Sequence, residues 1–181
     1  MTITPIADTE TLAAFCEKQK SAAFITVDTE FVREKTYYPI LCLIQIAGPD
    51  DAVVIDAMAS KIDLSPLDEL FKNPKVLKVF HASRQDNEIF FNLFGYVPEP
   101  IFDTQIAAMV CGFGDQIAYG TLVSALVGIQ LEKTSRFADY LSDISCVFCA
   151  LWNNDNAQSF HRCHYDRDAG GAGGNLKDQQ R

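Results

Sequence analysis

Residues 22–47 read AAFITVDTEFVREKTYYPILCLIQIA. The stretch from Ala22 to Glu30 is rich in β-branched and aromatic residues, which predicts a strand. Tyr37-Tyr38-Pro39 interrupts it, because proline cannot donate to a sheet ladder. Leu41 to Ala47 predicts a second strand and Gly48-Pro49-Asp50-Asp51 a turn. Ala52 to Asp56 follows as a third strand. Connections this short favour an antiparallel meander, since parallel neighbours need a longer crossover.

Outward from this block the pattern changes. Thr9 to Lys20 predicts a helix with Leu12, Phe15 and Cys16 on one face. Ser65-Pro66 opens a short helix, proline being favoured in a first turn. Val76 to Phe80 is a fourth strand. Ser83 to Phe94 is helical and stops at Gly95, a natural C-terminal cap. A short strand over Ile101 to Asp103 leads into a helix from Thr104 to Cys111. Thr121 to Val127 forms a last helix ended by Gly128. Strands first, then strands alternating with helices, predict an α/β fold with a mixed β-sheet flanked by helices.

Four acids stand out. Asp28 and Glu30 end the first strand and project from one face, roughly 7 Å apart at the backbone. Paired carboxylates repel unless something positive sits between them. A hard cation such as Mg²⁺ or Mn²⁺ suits their oxygens; the plainer alternative is a polar strand end in water. Asp86 falls in the first turn of the helix after the fourth strand. Ser83-x-x-Asp86 matches a capping box, which would explain Asp86 without chemistry. Its place at the C-terminal edge of the sheet is also where ligands of α/β folds gather. Asp103, at a strand-to-helix switch, reads first as an N-cap.

The chain has 181 residues, a formal charge of −9 and an apolar fraction of 48%. That is ordinary for a globular domain and excludes a wholly disordered chain. No apolar run approaches the roughly 18 residues that span a bilayer. The N-terminal MTITPIADTETLAAF has no basic stretch ahead of an apolar one, so no secretory signal is expected and the cytoplasm is the expected compartment. Cys42 and Cys111, in apolar runs, read as small buried hydrophobes. The acidity argues against a broad non-specific grip on nucleic acid. It leaves room for one strand end in an acidic, metal-filled cleft, because bound cations reverse the local field.

The blocks AFITVDTEFVREKTYYPILCLIQIA, KVFHASRQDNEIFFNLFG and IFDTQIAAMVCG closely resemble the exonuclease domain of bacterial ribonuclease D, over about residues 22–140. That family belongs to the Asp-Glu-Asp-Asp superfamily of 3′-5′ exonucleases and has a ribonuclease H-like fold. The resemblance implies that Asp28, Glu30 and Asp86 are catalytic and bind two divalent metal ions, Mg²⁺ or Mn²⁺. Such paired metals act on both the attacking water and the leaving oxygen. It implies hydrolysis of RNA from the 3′ end to nucleoside 5′-monophosphates, with tRNA precursors among the substrates. Phe31, Gln45 and His81 beside the motifs are candidates to line the nucleotide pocket, packing or hydrogen bonding being the alternative. Asp103 matches a recurrent position and takes a supporting role. No membrane and no obligate protein partner are expected.

The C-terminal part departs from the family. Residues 1–141 read as the exonuclease domain, incomplete, and 142–181 as an atypical tail, disordered or out of frame. The family's third motif, Tyr-x-x-x-Asp on a helix, occurs nowhere after residue 140. A lesion or error of reading frame, a divergent weak or inactive chain, and a substitute motif compete as explanations. His161-x-x-x-x-Asp166 has the spacing of histidine-type exonucleases but lacks helical periodicity. Cys146-x-x-Cys149 with His161, Cys163 and His164 has roughly the spacing of a small zinc site. Three functions therefore stand in competition: a metal-dependent exoribonuclease, an impaired remnant that only binds nucleic acid, and a zinc-dependent interaction module. Without the helix of the third motif, an apolar patch should lie exposed over residues 104–141.

Overall fold

The computed structural model describes residues 4–49 and 51–128. The missing third motif and the zinc spacing of the tail lie outside the described residues. The elements run α1 (Thr9–Gln19), β1 (Phe24–Val32), β2 (Ile40–Ala47), β3 (Ala52–Asp56), α2 (Ser65–Lys72), β4 (Leu77–Phe80), α3 (Arg84–Phe94), β5 (Ile101–Asp103), α4 (Thr104–Val110) and α5 (Tyr119–Val127).

One five-stranded sheet has the order β3-β2-β1-β4-β5. β1, β2 and β3 form the expected antiparallel meander. β4 and β5 add on the other side of β1 in parallel, each reached through a helix. The sheet is mixed and flanked by helices, the α/β architecture expected from the sequence.

The strand alternation sends two apolar sets to opposite faces. Ile25 and Val27 of β1, with Ile44, Ile46 and Ile55, pack against Leu12, Phe15 and Cys16 of α1, Leu67, Leu70 and Phe71 of α2, and Phe90 of α3. Phe71 and Phe90 meet edge to face at 4.9 Å. On the other face Phe24, Leu77, Val79 and Phe102 pack against Ala108 of α4 and Tyr119, Leu122 and Val123 of α5. Fully burying each such side chain contributes about 1.5–3 kcal/mol.

α1 starts at an Asp8 cap, whose carboxylate accepts from the Thr11 N–H at 2.9 Å. α3 stops because Gly95 takes the left-handed conformation, at φ 81°, and returns its N–H to the Phe91 carbonyl. That geometry costs glycine nothing and strains other residues. Along α4 and just after it, Ile106, Met109, Val110 and Phe113 are exposed, part of the region where an apolar patch was expected.

The cysteines need a correction. Cys111 is exposed and Cys42 half-buried, and among the described residues only Cys16 is a core cysteine. Cys111 is the C-cap residue at the end of α4. Cys42 is the extra residue of a bulge, because Glu30 pairs with Leu43 and Phe31 with Leu41. Among the described residues no helix is long and apolar enough to cross a membrane.

Candidate active site

The site grows from a mismatch in strand length. β1 runs to Val32, but β4 pairs with it only from Phe24 to Thr26. Beyond Thr26 the β4 side of β1 has no strand neighbour. β4 ends at Phe80, the chain turns through His81, Ala82 and Ser83, and α3 begins beside the bare edge. Asp86, in the first turn of α3, therefore comes up against β1 just where β1 carries Asp28 and Glu30. The bulge after Glu30 bends the hairpin at the same level.

Asp86 is fixed to that edge. It is only 8% exposed, and the Thr29 hydroxyl donates to its Oδ1 at 2.5 Å. Burial pushes its carboxyl above the usual range, the Thr29 hydroxyl and backbone N–H act the other way, and the Asp103 charge raises it further. Asp28 is pushed up to about 7, first by burial, then by the charges of Asp86 and Glu30. The charges of Asp86 and Glu30 are thus near enough to oppose the ionisation of Asp28. No cationic side chain is among the groups acting on Asp28.

The capping reading of Asp86 is corrected by this geometry. Ser83 occupies the N-cap position of α3 but makes no side-chain cap bond there. Its hydroxyl donates to Asp103 Oδ2 at 2.8 Å and accepts from Asn87 Nδ2 at 3.1 Å. Asp86 is left to face β1.

Asp103 is an N-cap, and more. Its Oδ1 accepts from the N–H groups of Gln105 at 2.8 Å and Ala82 at 3.1 Å, and its Oδ2 from the Ser83 N–H at 2.8 Å. One carboxylate so ties the start of α4 to the turn that launches α3. That turn contains Ala82 at φ 59°, a left-handed conformation that a side chain disfavours. Asp103 holds it in place.

The other candidates fall at different distances from the chemistry. Gln45 lies opposite Asp28 in the β1–β2 register and on the same face. It is 1% exposed, and its Oε1 has no hydrogen-bond partner. Phe31 is half-buried and follows Glu30 across the bulge. His81 is wedged away from the β1 edge, with Nδ1 at 2.8 Å from Thr104 Oγ1 and its ring edge-to-face on Tyr119 at 5.2 Å. Burial holds the His81 imidazole below its usual pKa, against the charge of Asp103 and the Ile117 carbonyl. Thr29 and Ser83 do not stand out in the sequence as candidates. A threonine between two acids on a strand is the available signal for Thr29.

The donor set suits a hard divalent cation. It consists of carboxylate oxygens, and at Asp28 the charges of Asp86 and Glu30 oppose ionisation with no cation among the groups acting on it, which is the electrostatic environment such an ion relieves. Among the described residues no three His, Cys, Asp or Glu side chains converge as a ready set of metal ligands. The fit rests on the chemistry of the donors and on their shared edge.

A family model described as 3′-5′ exonuclease matches residues 3–151. The chain is 58% identical over 135 residues to ribonuclease D of Acidiphilium cryptum, covering 75% of this chain and 34% of that protein. The crystal structure of Escherichia coli RNase D, described as an exoribonuclease involved in structured RNA processing, superposes with a TM-score of 0.70 at 37% identity. That match covers 78% of this chain and 37% of the other. Trypanosoma brucei RNase D in complex with RNA U12 shares the fold, at TM-score 0.72 and 16% identity over 84% of this chain and 63% of that one. The chain thus spans about a third of the length of its bacterial relatives. With the match running through most of its residues, the chain belongs to the 3′-5′ exonuclease family.

Proposed function

We propose that the chain is a divalent-metal-dependent 3′-5′ exoribonuclease of ribonuclease D type. It would hydrolyse RNA from a 3′-hydroxyl end to nucleoside 5′-monophosphates, with tRNA precursors among its substrates and the cytoplasm as its compartment. The observation that carries this is the Thr29 bond that holds Asp86 beside the strand of Asp28 and Glu30, with the charges of Asp86 and Glu30 both acting on Asp28.

Asp28, Glu30 and Asp86 would hold Mg²⁺ or Mn²⁺, two ions by analogy with the family. When bound, such ions supply a nucleophilic water and stabilise the charge on the leaving 3′ oxygen. The protein's own part is placement. Thr29 locks the Asp86 carboxylate against β1. Asp103 and Ser83 fix the turn from which Asp86 starts. Gln45 packs across the strand pair from Asp28 and offers a buried amide on that face. Phe31 and His81 are candidates for the walls of the nucleotide pocket, His81 as a neutral ring.

A second reading has one observation in its favour: no Tyr-x-x-x-Asp follows residue 140. On that reading the chain binds 3′ ends and cuts them slowly or not at all. Loss of one orienting or charge-stabilising group commonly costs about 10²–10³ in rate.

The discriminating experiment supplies a short RNA with either a 3′ hydroxyl or a 3′ phosphate, with Mn²⁺ or with a chelator. An exonuclease releases 5′-monophosphates from the hydroxyl end in Mn²⁺ and none in chelator. The remnant binds without release.

A further inference from the structure

We infer that the β1–β2 loop is a base-stacking platform for single-stranded RNA, with Tyr37 as its contact surface and Tyr38 as its support. RNA as the occupant rests on the exonuclease reading above. The platform itself rests on the exposure, ring geometry and anchoring of the two tyrosines.

Tyr37 is 81% exposed and Tyr38 57%. Adjacent aromatic rings left this open offer apolar surface for another molecule to cover. Their rings meet edge to face, with centroids 4.9 Å apart and planes at 86°. In that arrangement one ring shields at most one face of the other, so Tyr37 keeps a free aromatic face.

The loop carrying them is held to the site. Arg33 places Nη1 at 3.2 Å from Glu88 Oε2 and Nη2 at 3.1 Å from Glu88 Oε1, a two-pronged pair. The same Nη2 donates to the Tyr37 carbonyl at 3.0 Å. Glu88 stands on α3 two residues beyond Asp86, and Arg33 stands three beyond Glu30. One guanidinium therefore sets the Tyr37 backbone relative to both elements that carry the acids. A two-pronged arginine pair also adds geometric definition.

Charge chooses the kind of contact. The chain carries a net −9, and Arg33, the one arginine of this loop, is committed to Glu88. Glu34 and Lys35 offset each other beside it. Phosphate neutralisation is thus poorly served at this rim, and stacking needs no net charge. An aromatic face takes any base, which suits an enzyme that consumes a strand regardless of sequence.

The test is binding of a short 3′-hydroxyl RNA carrying 2-aminopurine at successive positions, to the full chain in chelator, where cleavage cannot occur. Stacking on tyrosine quenches the probe. Tyr37→Ala should weaken binding about tenfold and abolish quenching at one internal position. Tyr37→Phe should bind and quench as wild type does. The slope of affinity against salt should be equal in all three, because no phosphate contact is lost. Circular dichroism checks the fold of each variant. Unchanged binding and quenching in Tyr37→Ala, or no quenching by wild type at any position, overturns the platform. The exonuclease reading fails separately: wild type that releases no nucleotide in Mn²⁺, yet binds RNA through Tyr37, sinks that reading and leaves the platform standing.

Discussion

The Thr29 hydroxyl donates to Asp86 Oδ1 at 2.5 Å, so the strand that carries two of the acids also holds the third. Thr29 is 6% exposed and points to the face opposite Asp28 and Glu30. Asp86 can be reached from both because it lies beside β1, in the notch that short β4 leaves.

Thr29→Val keeps the shape and removes the donor. Asp86 should then lose the contact that favours its charged form, and its carboxyl should rise further. Losing such an outer hydrogen bond typically costs about 10–100-fold in metal affinity or activity. Nucleotide release measured against Mg²⁺ concentration should need roughly that much more metal, with the melting temperature little changed.

Asp103→Ala should act on the fold and the site together. It leaves the N–H groups of Ala82, Ser83 and Gln105 without their acceptor and frees the left-handed Ala82. Several charge-assisted bonds at a cap suggest a loss of about 2–4 kcal/mol. Urea unfolding reads this directly. A loss below about 0.5 kcal/mol would show that the carboxylate is dispensable to the turn.

Lys78 gives a pH signature at the other end of β4. It is fully buried, and its Nζ donates to the carbonyls of Asn73 at 2.8 Å and Glu99 at 2.7 Å. Burial pulls its pKa down from 10.5 to about 8. Between those values the unfolded chain binds more protons, so stability should rise with pH there, and the full cost of the buried charge is felt below about 8. Relative to Lys78→Met, wild type should gain on the order of 1 kcal/mol per pH unit across that window. Urea midpoints that run parallel for the two proteins would rule this out.

Metal binding should be proton-linked. Asp28, at about 7, must lose its proton to act as a ligand. Mn²⁺ affinity should therefore fall as the pH drops through that value, with proton release that changes with buffer in calorimetry. Asp28→Asn should abolish the linkage. A pH-independent affinity would place the metal elsewhere.

Much of this was legible in the residues. The meander shows in the alternation around Asp28, the end of α3 in Gly95, and the sheet-edge place of Asp86 in its position after β4. The grouping of Asp28, Glu30 and Asp86 comes from the family resemblance, since a D-x-E strand end and a helix start read by themselves as a polar strand end and a cap. What stayed hidden depends on tertiary register. Ser83 and Asp86 look like a capping box, and only the packing of β5 against β4 shows that Asp103 claims Ser83 instead. The role of Thr29 stays hidden because nothing local shows that β4 stops short. Nothing local marks Lys78 as buried, since one of its acceptors, the Glu99 carbonyl, comes from the loop before β5. Cys111 reads as core because an apolar run does not reveal which side of α4 faces solvent.

The most direct measurement compares nucleotide release from a short 3′-hydroxyl RNA by the full chain and by Asp28→Asn, in Mn²⁺. The expected result is 5′-monophosphate release by wild type that falls about a hundredfold or more in the variant. Equal release by both proteins, or none from a folded wild type, contradicts a working exonuclease centre at Asp28, Glu30 and Asp86.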